Sequence, residues 1–313
     1  MGRVGRLRIV VLALIVTALY GWRIGWFASM TGNDAAASSA TADAARNTPQ
    51  QLARSATPKP DLSPAGKARR MVNAMDMDTR IGQLVMAPLY AGNDPASLAS
   101  LIADRHVGSV LIIGKWTGGV ASVRAAADQL QGYAPGDNRL IISTDQEGGW
   151  VQHLIGPGFD RMPTAVDQGT MSTNQLRQSA SVWGSQLAAA GINVDLAPVL
   201  GTVVANRAAN APIGALYRDF GLDAAGNAAQ GTAFVQGMAD AGVQSAIKHY
   251  PGLGAVTGNT DFTADGILDT TTTLDGTEIK AFDTTIDQAD PAMVMMALAT
   301  YQAIDPNDPA VFS

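Results

Sequence analysis

Six runs along the chain are apolar enough to form strands: Ile81–Tyr90, Gly108–Gly114, Arg139–Thr144, Asn193–Leu200, Val243–His249 and Ala292–Tyr301. Between them the spacing changes. Ser172–Ala190 carries Leu176, Ala180, Trp183 and Leu187 at intervals of three to four, the period of one helix face. Leu222–Ala241 is alanine-rich and runs into Gly242, a natural C-terminal stop. Leu274–Ala289 sets Ile279, Phe282 and Ile286 on one side. Strand and helix in alternation predict parallel strands joined by crossover helices.

Six parallel strands suit either a doubly wound sheet or a (β/α)8 barrel. Polar clusters follow several different runs: Asp145–Glu147, Asp195 and Lys248–His249. A barrel gathers its site from the C-terminal ends of many strands. A doubly wound sheet concentrates its site at one switch point and commonly opens with a glycine-rich phosphate loop. No such loop follows the first run. The expected fold is therefore an α/β barrel of the TIM type, incomplete, with about six strands in the sequence.

The N-terminus breaks this pattern. Arg3, Arg6 and Arg8 precede an apolar run from Ile9 to Trp22. A basic flank followed by an apolar stretch reads as a secretion signal or an uncleaved anchor. Adding Ile24 to Phe27, with Arg23 snorkelling, reaches the roughly 20 residues of a membrane span. Residues 31–65 are rich in Ala, Ser and Thr, carry Pro49, Pro58 and Pro60, and show no periodicity, as in a flexible linker. Three segments are expected: a signal or transmembrane anchor over 1–30, the linker over 31–65, and the barrel over 66–313. The positive flank stays inside, so the barrel is expected outside the cytoplasm, membrane-anchored or secreted.

Composition narrows the chemistry. With 47% hydrophobic and 15% charged residues the chain is globular. A net charge of −6 offers no basic face for nucleic acid. The sequence has no cysteine, which removes disulfides, thiolate metal sites, a cysteine nucleophile and a lipidated cysteine. Its three histidines, His106, His153 and His249, do not pair at metal-ligand spacing, so no metal is expected.

The stretch AIKHYPGLGAVTGNTDF (246–262) ends a strand on Lys248 and His249, then opens a long glycine-rich loop, Pro251–Thr273, that carries Asp261. Loops of that length inside a compact domain are commonly functional lids or disordered segments. Four other blocks accompany it at sensible spacing: STDQEGGWVQHL (143–154), GINVDLAPVL (191–200), YRDFG (217–221) and DPAVFS (308–313). Together these blocks resemble the N-terminal barrel of glycoside hydrolase family 3, in its β-N-acetylhexosaminidase branch, from about residue 68 onward.

The resemblance implies removal of terminal β-linked sugars, N-acetylglucosamine of cell-wall glycans above all, by a retaining mechanism without a cofactor. That chemistry needs a carboxylate nucleophile and a group that serves as acid and then base. By resemblance, Asp145 accepts from two sugar hydroxyls, Lys248 and His249 donate to the sugar, and Arg218 contacts it. Plainer roles stay open: a turn cap for Asp145, a solvated strand end for Lys248 and His249, and an ion pair of Arg218 with Asp195 or Asp219. The family's acid/base is a histidine backed by an aspartate in an Asp-Ser-His triplet. Here the triplet is Asn259-Thr260-Asp261, so Asp261 is expected as acid/base with Asn259 as its support. Leu253 stands where the family has another histidine. Trp150 and His153 replace arginines, and Gly201 replaces an aspartate. The family's nucleophile lies on a seventh strand for which no matching position is present. These 313 residues are therefore expected not to hydrolyse on their own, and a non-catalytic, glycan-binding or cell-wall-associated barrel protein is the alternative.

Overall fold

The computed structural model describes residues 63–136, 138–204, 206–263 and 266–313. The expected anchor, and the expected linker up to residue 62, lie outside the described residues. Among the described residues no helix is long and apolar enough to cross a membrane. Met75–Ser313 belongs to one compact unit, and the exposed helix Pro64–Ala74 to another.

The larger unit is built on six parallel strands: β1 (Met86–Tyr90), β2 (Ser109–Ile113), β3 (Ile141–Thr144), β4 (Val194–Asp195), β5 (Gln244–Tyr250) and β6 (Met293–Met296). They stand in the sheet in their sequence order. Each strand pairs with the next, all in parallel. A sheet that always adds its next strand on the same side has no switch point, so it winds as a barrel does.

One face of the sheet is covered by helices, and the other is half-buried toward its edge strand β6. One face packs Ala87, Leu89, Val110, Ile112, Ile142 and Ile247 against the crossover helices. The alternate residues Met86, Val194 and Ala246, joined by Leu111, Ile141, Met293 and Met295, form a separate inner cluster. The helices are α1 (Met77–Gln83), α2 (Ala99–Ala103), α3 (Gly119–Tyr133), α4 (Thr173–Ala189), α5 (Ala224–Asp240) and α6 (Thr277–Ala289), with a short turn of helix at Ala165–Gly169. Ser172 caps α4 in a reciprocal box with Gln175, and Leu176, Ala180, Trp183 and Leu187 are its buried face. Gly237 lets α5 press close to α4, since a Cβ there would lie 2.3 Å from the Arg177 carbonyl oxygen.

Several expected elements differ. Ile81 does not open the first strand. Asp76 accepts from the Thr79 amide and starts α1, which takes up Ile81 and Gln83, so β1 begins only at Met86. The Asn193–Leu200 run yields just two strand residues. Ala292–Tyr301 is broken after Met296, where the Ala297 amide donates to the Tyr250 carbonyl (2.8 Å). Thr300–Tyr301 then joins a small second sheet, parallel to Leu268–Asp269 and antiparallel to Asp305–Pro309. α3 has no strong sequence signal, because alanines make up half of its buried apolar side chains.

The Pro251–Thr273 loop is no bare lid. Leu253, Val256 and Ile267 bury against Val199, Ile213, Ala299 and Tyr301 in a core of their own. The Asn210 side-chain amide donates to the Leu253 and Val256 carbonyls (2.8 and 2.6 Å). The Tyr301 hydroxyl donates to the Gly252 carbonyl (2.5 Å). The tip, with Asp261 and Phe262, is exposed, as are Thr257, Leu268 and several of the threonines that follow.

Candidate active site

β3 ends at Thr144, and the chain continues through Asp145, Gln146 and Glu147. Alternate residues of an extended segment share a side. Asp145 and Glu147 accordingly turn to one cation: Lys248 Nζ bonds Asp145 Oδ1 and lies 2.6 Å from Glu147 Oε1. Gln146 turns the other way, and its side chain closes two bonds with the Leu154 backbone (2.9 and 3.1 Å). The following pair, Gly148 and Gly149, has φ of 99° and 56°. A Cβ on Gly148 would lie 2.3 Å from the Pro163 carbonyl oxygen, so the turn demands glycine on two grounds.

Arg218 reaches the same cluster from the YRDFG segment. Its Nε and Nη2 grip both oxygens of Glu147 (2.9 and 2.8 Å), and Nη1 donates to the Pro212 carbonyl (2.8 Å). The expected partners are wrong: Asp219 is taken by Arg207 at 2.6 and 2.9 Å, and Asp195 receives the Gln146 amide instead. A bidentate guanidinium and a buried lysine on one carboxylate make a closed network, with Lys248 only 1% exposed.

The network sets its own charges. Burial opposes ionisation of Glu147, but Arg218 and Lys248 outweigh it and hold the carboxyl well below its usual range. Burial likewise works against the Lys248 ammonium, and Asp145 and Glu147 more than restore it. β5 ends on Lys248, His249 and Tyr250, with a cis peptide between the first two. Burial, then the Arg218 and Lys248 charges, push the His249 imidazole well below 6.5, so it is neutral at pH 7. Its Nδ1 is buried and has no partner among the described residues. His153 Nε2 faces the second oxygen of Asp145 at 3.9 Å, and burial lowers its basicity too. Asp195 ends β4 fully buried, and burial pushes its carboxyl up to about 8.

Asp145, Arg218, Lys248 and His249, drawn from three separate sequence blocks, therefore converge at the C-terminal ends of the strands. Asp261 stands apart on the loop tip, although its charge is felt at Arg218. The Asn259 side chain accepts from the Asp261 backbone amide (2.9 Å), so it supports the Asp261 main chain and not its carboxylate. Glu147 escaped the sequence reading as a site residue. Its signal was available, since it sits two residues beyond Asp145 and so on the same side. Among the described residues no group of three His, Asp or Glu side chains could hold a metal ion. A cavity of about 300 Å³ beside the loop is lined by Thr202, Gly254, Thr272 and Glu278, among others, and holds none of the charged network.

The profile of the glycosyl hydrolase family 3 N-terminal domain matches residues 76–313. The chain belongs to glycosyl hydrolase family 3. Its family 3 relatives include the beta-hexosaminidase LpqI of Mycobacterium tuberculosis, 33% identical over 70% of this chain and 55% of that protein. A beta-hexosaminidase of Alkalilimnicola ehrlichii is 30% identical over 74% of this chain and 66% of its own length. The chain thus spans between about half and two thirds of the length of these two curated relatives. Among solved structures, a β-N-acetylhexosaminidase of Beutenbergia cavernae is 44% identical with a TM-score of 0.74, covering 76% of this chain and 72% of that one. Within family 3 the fold is TIM-barrel-like, in keeping with the parallel sheet described above.

Proposed function

We propose that this protein binds terminal β-linked N-acetylhexosaminides, chiefly N-acetylglucosamine of cell-wall glycans, outside the cytoplasm, as a glycosidase of the retaining kind whose nucleophile is supplied by no described residue. The observation that carries this reading is the convergence of Asp145, Lys248 and neutral His249 on one rim of the sheet, in a chain related to beta-hexosaminidases. Asp145 accepts from two adjacent sugar hydroxyls. Lys248 serves Asp145 and Glu147 with two of its protons, and a sugar seated on Asp145 would take the third. His249 Nδ1 offers a polar contact that nothing in the described protein uses. Glu147 and Arg218 orient the other groups and stay locked to each other. Asp261, carried on the exposed tip, protonates the leaving oxygen and then activates water.

One observation favours a second reading, glycan binding without hydrolysis. The strand-end carboxylates already have partners: Asp145 has Lys248, Glu147 has Arg218 and Lys248, and one oxygen of Asp195 has the Gln146 amide. The role of nucleophile is assigned to no described residue. Calorimetric titration with N-acetylglucosamine tests the binding shared by both readings. Asp145→Ala should weaken it by more than about 100-fold, since each of two bonds to a charged acceptor is worth about 1.5–3 kcal/mol. Unchanged affinity in that variant overturns both. Turnover of a chromogenic β-N-acetylglucosaminide then separates them. If turnover occurs, Asp261→Ala should slow a natural disaccharide far more than the activated substrate, which needs little protonation. Equal losses on the two substrates remove Asp261 from the acid role.

A further inference from the structure

The charged network is balanced without Asp195. Lys248 and Arg218 supply two positive charges, and Asp145 and Glu147 two negative ones. Asp195 lies with the network, wholly buried. Its Oδ1 accepts the Gln146 amide at 2.9 Å, and its Oδ2 meets no hydrogen-bond donor among the described residues. A third buried negative charge here would have no counter-charge of its own, and such a charge is costly. The charged groups that act on it are Lys248 from β5, with Asp145 and Glu147 beyond the end of β3. Lys248 favours its ionisation, but that ammonium is already shared by the two other carboxylates, and both of those oppose a further negative charge.

A neutral carboxylic acid resolves the conflict, because its carbonyl oxygen still accepts the Gln146 amide. That single bond matters to the geometry. It fixes the residue between Asp145 and Glu147, and fixing it with the side chain turned toward Leu154 leaves both neighbours turned toward Lys248. We propose that Asp195 is a positioning residue that works as an uncharged acid: it pins the Gln146 amide so that Asp145 and Glu147 meet Lys248 together, and its ionisation in alkali loosens that arrangement. The link to sugar binding rests on the function proposed above; the protonation state and the pinning do not.

Asp195→Asn keeps the accepting oxygen and abolishes the titration. The folded protein holds a proton on Asp195 that the unfolded chain releases near pH 4, so the Asp195 contribution to stability drops from about pH 4 to about pH 8 and then levels off, while the contributions of His153 and His249 are common to wild type and variant. The melting temperature of Asp195→Asn minus that of the wild type should therefore climb across that interval and flatten above it. The slope carries the test, since a constant offset reports only how the amide packs. In parallel, the Gln146 backbone amide signal in nuclear magnetic resonance should titrate with a midpoint near 8 in the wild type and stay still in Asp195→Asn. A melting difference independent of pH, or a Gln146 signal that titrates equally in both proteins, overturns the proposal. If no variant binds sugar while slope and titration are present, the glycosidase reading falls and this one stands.

Discussion

Glu147→Ala should lower the unfolding free energy by about 3–5 kcal/mol, the cost of breaking a buried ion network from one side. Glu147 is 4% exposed and answers two cations, Arg218 through both of its oxygens and Lys248 at 2.6 Å. Its loss leaves the guanidinium of Arg218, only 9% exposed, with the Pro212 carbonyl as its remaining hydrogen-bond partner. Urea unfolding of the two proteins measures the difference. Glu147→Gln adds a check on sign. The folded-state carboxyl is held below its unfolded value, so its stabilisation is complete above about pH 4.3 and is lost as pH falls from there. The gap between wild type and Glu147→Gln should be full at pH 6 and shrink toward pH 2. A loss below about 1 kcal/mol for the alanine variant would mean that water reaches these groups and that the network is not closed.

Gly254→Ala should cost about 3 kcal/mol, at the upper end of what overpacking does. A Cβ at residue 254 would lie 1.7 Å from the Thr202 carbonyl oxygen and 2.4 Å from its carbon. Both obstacles are backbone, so no side chain can swing aside. The loops after β4 and β5 must part, which disturbs the Val204 amide bond to Gly254 (3.3 Å) and the small core around Leu253. Hydrogen exchange should show faster exchange through 252–256 and at Thr300, whose amide is tied to Ile267. Gly132→Ala is the control: it lies in α3 with nothing within 4 Å of the added carbon, and it should stabilise by about 0.5–1 kcal/mol. Equal behaviour of the two variants would contradict the close approach of the loops.

What was legible before the structure, and what was not, follows from how local each signal is. The buried face of α4 was readable from Leu176, Ala180, Trp183 and Leu187 because one helix repeats its environment every turn. Barrel topology was readable because polar groups recur at the ends of separate strands, and a switch-point fold would not scatter them so. Asp145, Lys248 and Arg218 were found through their blocks, yet the partner of Arg218 was not. Glu147 and Asp219 are both carboxylates, and only the fold puts the first 71 residues away in sequence yet in contact. The loop misled for a related reason: its glycines and threonines look like a flexible lid, while its anchors, Asn210 and Tyr301, come from elsewhere in the chain. Ile81 misled at short range, since one capping aspartate, Asp76, outweighed a run of apolar residues.

Crystals of the protein soaked with N-acetylglucosamine put the sugar-binding rim to its most direct test. The expected electron density shows one pyranose at the C-terminal ends of β3 and β5, two adjacent hydroxyls within hydrogen-bond distance of Asp145, and Lys248 and His249 against its edge. Sugar found only in the cavity beside Thr202 and Glu278, or at the opposite end of the strands, with the Asp145–Lys248 pair untouched, would contradict it.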